Sequence, residues 1–238
     1  MLDFTEVSNE ICTYLGAHVD SAQYAPIVPI ISAFQDKSGL ANNRIQALHQ
    51  QHVNQLLTEQ IFKEIRCYSV IPGHLFAGEI PSSINDQEFH LKIQCLKDLG
   101  ITHIINLTES NEQNFKGIPL RNYVEFAEKQ FQSSGFPITC LRFPIKDLDI
   151  PTITHMRTIL KAINEALREG GKVYVHCWGG VGRTGTVIGC FLVENGILLN
   201  KTAIPYLSFL KRNTNIRERR SQETMEQINF ILNWTKAL

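Results

Sequence analysis

The ten residues from His176 to Gly185 (His-Cys-Trp-Gly-Gly-Val-Gly-Arg-Thr-Gly) leave this chain few folds to choose from. Cys177 and Arg183 are separated by five residues, and three of these are glycine (Gly179, Gly180 and Gly182). The run before them, Lys172 to His176, is apolar and partly β-branched, as a buried strand is. The run after them, Thr184 to Asn195, reads as a helix closed by Gly196. A strand, a glycine loop and a helix start together make a cradle for an anion. Backbone N–H groups converge there, and the helix dipole favours negative charge. Glycine costs backbone entropy, so this density of it fits a place where backbone must approach a ligand closely. A cysteine in such a cradle is expected to serve as a thiolate nucleophile. Arg183 has the wrong sign for a helix start. An anion between the two removes the misfit, because a planar guanidinium grips two oxygens of a tetrahedral anion. The stretch therefore predicts removal of a phosphoryl group from an ester.

The neighbouring side chains divide into roles. His176 precedes the nucleophile on the strand and points to the opposite side from Cys177. It is expected to be a structural hydrogen-bonder, not a proton carrier. Thr184 either starts the helix or bonds the sulfur, and both roles stay open. The backbone of Trp178, Gly179, Gly180, Val181 and Gly182 is expected to line the oxygens. None of these five carries charge, which favours phosphotyrosine or phosphoserine/threonine over polyphosphorylated inositols. The departing oxygen also needs a proton. The run Phe143 to Pro151 offers Asp147 and Asp149 at the end of a strand, between two prolines. Turn formation or capping ahead of Thr152 explains either residue equally well, and residue chemistry does not rank them.

The pattern along the chain sets the frame. Short strands are expected at Cys67 to Ile71, His74 to Ala77, Ile101 to Thr108, Thr139 to Ile145 and Lys172 to Cys177. Helices are expected at Asp86 to Leu99, Leu120 to Gln132, Thr152 to Arg168, Thr184 to Asn195, Lys201 to Lys211 and Gln222 to Trp234. Alternation of this kind predicts an α/β fold with a central, mostly parallel sheet flanked by helices on both faces. Ligands of such sheets bind at the carboxyl ends of strands, where Cys177 stands. A boundary near Arg66 divides a helical N-terminal extension, residues 1–65, from a catalytic domain, residues 66–238. In the extension Ile45, Leu48, Leu56, Ile61 and Ile65 recur near helical spacing. They suit a helix packed on the main domain, with a cap or partner-binding helix as the alternative. The formal net charge is zero, which argues against nucleic acid or a membrane surface as partner. The longest apolar stretch, Ala25 to Ala33, is broken by Pro26 and Pro29 and is too short for stable membrane insertion. The six cysteines show neither metal spacing nor a CxxC pair. With an acidic N-terminus lacking signal-peptide character, they suggest a cytoplasmic protein; export by a non-classical route stays open. The basic run Lys211, Arg212, Arg217, Arg219 and Arg220 reads as a solvated loop, the alternative being a second site for an acidic group.

The His-Cys-x5-Arg-Thr-Gly signature resembles that of the cysteine-dependent protein phosphatases, the tyrosine and dual-specificity branch. Phe143-Pro144-Ile145-Lys146-Asp147 is similar to that family's acid loop, and the resemblance puts the general acid on Asp147. Arg220 to Gln227 resembles a Ser-Pro-Glu-Thr-x-x-Gln motif of compact microbial members, with Gln222 in the proline's place. It makes Gln227 a water-positioning residue. Val70 to Gly73, Leu75 to Glu79 and Asn106 to Glu109 also resemble that subgroup. The likeness spans about Arg66 to Trp234 and leaves the first 65 residues aside. It implies a cysteinyl-phosphate mechanism with Cys177, Arg183, Asp147, Gln227 and Thr184 at the site, a phosphorylated protein as substrate, and neither metal nor organic cofactor. The alternatives are a phosphatase of phosphoinositides or other small phosphoesters, and a phospho-binding pseudo-enzyme without turnover. A rhodanese-like sulfurtransferase also uses a loop cysteine, but Thr184-Gly185 and the acid loop argue against it.

Overall fold

The computed structural model describes residues 61–62, 64–113, 117–119, 121–132, 135, 137–211 and 223–236. The helix expected at 43–65 lies almost wholly outside them, as do Arg212, Arg217, Arg219, Arg220 and Gln222.

Among the described residues five strands alternate with six helices. They run β1 (Cys67–Ile71), β2 (Leu75–Gly78), α1 (Asp86–Asp98), β3 (His103–Asn106), α2 (Val124–Gln132) and β4 (Thr139–Arg142). Then come α3 (Ile153–Arg168), β5 (Val173–His176), α4 (Gly182–Glu194), α5 (Asn200–Leu210) and α6 (Met225–Leu232). The sheet order is β1-β2-β5-β3-β4. β1 pairs with β2 antiparallel, and the other pairings are parallel. The expected α/β architecture is therefore the one observed, with β5 at the centre and every one of its residues buried.

Alternation along β5 explains why both faces are covered. Val173 and Val175 join Ile105, Met156, Ile159, Val187, Phe191 and Leu207 on one side. Tyr174 joins Phe76, Phe89, Leu96, Ile104, Tyr123 and Phe131 on the other. Burying one such apolar side chain contributes about 1.5–3 kcal/mol. The two layers hold β5 from above and below, and so fix where its carboxyl end emerges.

Several element boundaries differ from the sequence expectation, each for a local reason. β4 stops at Arg142 instead of Ile145, because Pro144 has no N–H to give the ladder. Phe143 and Ile145 still donate to the carbonyls of Asn106 (2.8 Å) and Leu107 (3.0 Å). α2 starts at Val124 instead of Leu120, where the Asn122 side chain accepts the Val124 N–H at 3.1 Å. α6 starts at Met225 because Thr224 and Gln227 form a capping box. α4 begins at Gly182, two residues before Thr184, which brings Arg183 and Thr184 into its first turn.

Candidate active site

Cys177 follows β5 directly and is 2% exposed. The loop after it is strapped to the end of β2. Ile80 N–H donates to the Trp178 carbonyl at 2.9 Å. Gly180 lies on the Gly78–Glu79 peptide with φ +67°, and a Cβ there would come within 2.6 Å of the Glu79 nitrogen. Close approach and left-handed backbone thus both demand glycine at 180. At Gly182 a Cβ would run into the side chains of Glu223 and Gln227, 2.8 Å from the Gln227 Oε1. The glycine spacing read from the sequence is therefore used twice, once against β2 and once against the segment leading into α6. Val181 occupies the N-cap of α4 and provides no side-chain cap, so the first-turn N–H groups are left for an anion.

His176 is fully buried and faces α2, away from the nucleophile. Its Nδ1 lies 2.9 Å from the Cys177 carbonyl, and its Nε2 lies 2.6 Å from the Tyr123 hydroxyl. A carbonyl only accepts, so Nδ1 carries the proton and Tyr123 donates to Nε2. Burial lowers the His176 pKa to about 3, although the bond to the Cys177 carbonyl works the other way. The imidazole is therefore neutral at physiological pH and fixes the strand-to-loop turn.

Arg183 is the largest fully buried side chain of the site, 1% exposed. It donates through NH1 and NH2 to both carboxylate oxygens of Glu112, the NH2 bond at 3.2 Å. It also donates from NH1 to the Ile145 carbonyl at 3.0 Å and pairs through NH2 with Asp147 at 2.8 Å. Burial opposes its charge, but the Glu112 hydrogen bond and the negative charges of Cys177, Glu112 and Asp147 outweigh that and raise its pKa. Arg183 Nε and Thr184 Oγ1 are buried and have no partner among the described residues. An unpaired polar atom buried in protein is costly, and an oxyanion seated in the cradle could satisfy such donors.

The two candidate acids now separate. Asp147 is 59% exposed at its side chain and rests on Arg183. Asp149 folds back, its Oδ1 accepting the N–H of Ile150 at 2.8 Å, which is turn chemistry. Between them Leu148 has φ +63°, a left-handed conformation that costs a leucine about 1 kcal/mol. The loop is tied at three carbonyls. His155 Nε2 reaches that of Pro144 (3.2 Å), Arg183 that of Ile145 (3.0 Å) and Gln227 Nε2 that of Asp149 (3.3 Å). Gln227 is wholly buried, and its Oε1 accepts from the backbone of Glu223 and Thr224. It lies against Gly182, with its amide oxygen committed to the capping box.

Glu112 in the site and the burial of Lys211 are not legible in the sequence pattern. Glu112 sits in a polar loop where nothing marks it out, and its Oε1 also accepts the Glu109 N–H at 3.0 Å. The one available signal was the general rule that a buried arginine needs a carboxylate. Lys211, expected in a solvated loop, is instead 1% exposed, with Nζ 5.6 Å from the centre of the Tyr68 ring. The α5 helix that it caps packs its apolar face on α4 and carries the lysine inward.

Residues 64–229 match the family described as Swiss Army Knife protein, DSP-PTPase phosphatase domain. This chain belongs to that family. A protein tyrosine phosphatase domain-containing protein 1 of Danio rerio is 31% identical over 148 residues, which take in 61% of this chain and 20% of that one. The likeness thus spans only about a fifth of that relative's length. A phosphatidylglycerophosphate phosphatase of Arabidopsis thaliana is 27% identical over 141 residues, 59% of this chain and 53% of that one. Among solved structures, kinase associated phosphatase with its catalytic-site cysteine replaced by serine superposes with a TM-score of 0.53 at 21% identity. That superposition covers 69% of this chain and 89% of the other, and bears on the fold alone. Within the dual-specificity and tyrosine phosphatase superfamily, the stretch carrying Cys177 and Arg183 falls inside the matched residues.

Proposed function

We propose that this chain is a phosphatase that hydrolyses phosphate monoesters on protein side chains, phosphotyrosine and also phosphoserine or phosphothreonine, through a cysteinyl-phosphate. The observation that carries this reading is the convergence of Cys177, Arg183 and Asp147 on one cradle. The Asp147 carboxylate on Arg183 NH2 takes the place of a phosphate oxygen. When substrate enters, Nε and NH2 of Arg183 grip two oxygens, and Asp147 turns to the leaving group. The Cys177 sulfur attacks phosphorus, the ester P–O bond breaks, and Asp147 gives its proton to the departing oxygen. Loop N–H groups from Trp178 to Arg183 stabilise the equatorial oxygens without having to reorganise. Water deprotonated by Asp147 then breaks the S–P bond and releases inorganic phosphate; to orient that water, Gln227 Nε2 first leaves the Asp149 carbonyl. Thr184 Oγ1 is available to bond the sulfur as it leaves.

A second reading, a phosphatase of lipid phosphoesters, is supported by the Arabidopsis relative and by a groove beside the acid loop. That groove, of about 350 Å³, is lined by Ile150, Ile153, Phe230 and Trp234 among others, and it could take an apolar chain. Steady-state kinetics on a phosphopeptide panel, on phosphatidylglycerophosphate and on phosphoinositides in mixed micelles separate the two. The first reading requires kcat/KM on phosphotyrosyl peptides to exceed that on the lipids, and the reverse order rejects it. No turnover of any phosphoester by protein with a reduced Cys177 would leave a phospho-binding module.

A further inference from the structure

Water that attacks a cysteinyl-phosphate must be held in three directions. One lone pair of its oxygen points at phosphorus, and each of its two O–H groups needs an acceptor. Asp147 takes one of these protons. Gln227 is in no position to accept the other. Its Oε1 already accepts the backbone N–H groups of Glu223 (2.9 Å) and Thr224 (3.3 Å), and its Nε2 is a donor, bonded to the Asp149 carbonyl at 3.3 Å. Among the described residues beside Gln227, Glu223 supplies an acceptor. Its carboxylate lies directly against Gly182: its Oε2 is the atom nearest to where a Cβ on Gly182 would stand, ahead of Gln227 Oε1 (2.8 Å) and Nε2 (2.9 Å). Gly182 is buried and opens the first turn of α4, next to Arg183. Glu223 itself is exposed, and its bond to Gln227 is made by the main chain. The side chain thus faces both the cradle loop and solvent. Its charge also acts on Lys211, and a role confined to that charge is one outcome of the test below.

We propose that Glu223 is a water-positioning residue for hydrolysis of the cysteinyl-phosphate. This rests on the reading of Cys177 as nucleophile and of Asp147 as base. In that step the water oxygen forms a bond to phosphorus, and the S–P bond breaks with its electron pair returning to sulfur. One water proton passes to the Asp147 carboxylate. The second O–H stays on the phosphate that leaves, and until then the Glu223 carboxylate holds it. Gln227 Nε2, once off the Asp149 carbonyl, donates to the remaining lone pair of the water. Transfer of the phosphoryl group to sulfur involves no water, so Glu223 takes no part in it.

The test is rapid-quench kinetics of the full chain on p-nitrophenyl phosphate, with and without ethanol. Glu223→Gln keeps a neutral acceptor oxygen and Glu223→Ala keeps none. Both should release nitrophenol in a burst and then turn over slowly, with phosphate held on the Cys177 peptide by mass spectrometry. In Glu223→Ala the second step should slow roughly tenfold or more, as for one lost hydrogen bond to a charged group, and in Glu223→Gln by less. Because kcat/KM reports only the steps up to nitrophenol release, it should stay within about twofold of wild type. Ethanol brings one O–H instead of two and needs Asp147 alone. The ratio of ethyl phosphate to inorganic phosphate should therefore rise from wild type to Glu223→Gln to Glu223→Ala. Variants whose kcat and kcat/KM fall together overturn the proposal, because Glu223 then serves the cradle or Lys211. So do variants with wild-type kcat and product ratio, and so does a burst with an unchanged ratio. Where ethanol captures no phosphoryl group, the burst decides, and should Glu223→Ala not fold, Glu223→Gln decides. A wild type that forms no phosphate adduct at Cys177 rejects the nucleophile and this inference with it. Wild-type turnover with unaltered variants rejects this inference alone.

Discussion

Residues 177–183 are buried or half-buried throughout, whereas residues 144–151 lie largely in solvent and are tied at three carbonyls. The first loop is gripped by β2, by the segment ahead of α6 and by His176, and at Gly180 and Gly182 no space is left between it and its supports. The second spans the gap from β4 to α3 with a left-handed leucine between its two aspartates. The contrast fits what the proposed mechanism asks of each. An oxyanion site gains most from donors that are already in place. A group that gives a proton to one oxygen and takes it from another must reach two positions in turn, and water must reach it as well. The proposed chemistry therefore asks for a rigid cradle and a tethered, solvent-facing arm.

The sharpest way to break this comparison is Cys177→Ser, which should abolish turnover of an aryl phosphate while leaving the melting temperature close to wild type. Measurable hydrolysis would mean that the rigid loop does not carry the nucleophile. Next comes the arm. Asp147→Ala should lower kcat by roughly two orders of magnitude or more, and Asp149→Ala by far less, because its carboxylate serves the turn. The opposite order in a kcat comparison would move the proton donor to Asp149. In the cradle, Gly180→Ala should cost about 3 kcal/mol of stability, from collision and backbone strain together, read by denaturant unfolding. A change within about 0.5 kcal/mol would show the strap on β2 to be loose.

The last two effects are smaller. Because His176 is held near pKa 3 when folded and titrates near 6.5 when unfolded, unfolding takes up a proton between those values. Its contribution to stability is complete above about pH 6.5 and is lost as pH falls toward 3. His176→Asn keeps a donor near the Cys177 carbonyl and removes that proton, so its melting temperature should fall less steeply between about pH 6.5 and pH 4 than that of the wild type. An unchanged slope would mean that other groups set the acid limit. Leu148→Gly should relieve the left-handed conformation and change stability by less than about 1 kcal/mol, since glycine's greater freedom in the unfolded chain works against the gain. A loss well beyond that would show that the leucine side chain, not its backbone, holds the arm.

Much of this was legible in the sequence because it is local. Strand, glycine loop and helix follow one another within about thirty residues, and the apolar pattern of each element states which face is buried. What the pattern could not give are meetings between distant segments. Asp147 separates from Asp149 only when α4 brings Arg183 beside one of them. Glu112 gains its meaning from Arg183, 71 residues further on, and its own neighbours are polar loop. Lys211 is misread for the same reason: a lysine at the end of a helix is usually solvated, and only the packing of α5 on β1 and α4 takes this one inside. α4 starts two residues before the sequence pattern predicts, because glycine is a poor helix former in isolation, while here Gly182 lies against Glu223 and Gln227.

The strap from Ile80 to Trp178 joins the two ends of a sequence separation of about a hundred residues. During synthesis the β1–β2 hairpin leaves the ribosome long before the sulfur does, and waits without its counterpart. A nascent chain therefore displays Cys177 after the β1–β2 part of its scaffold and before the segment ahead of α6 that closes on Gly182. Conversely, a copy shorn of its first hairpin would keep Cys177 and Arg183 yet lose the wall that the loop between them leans on.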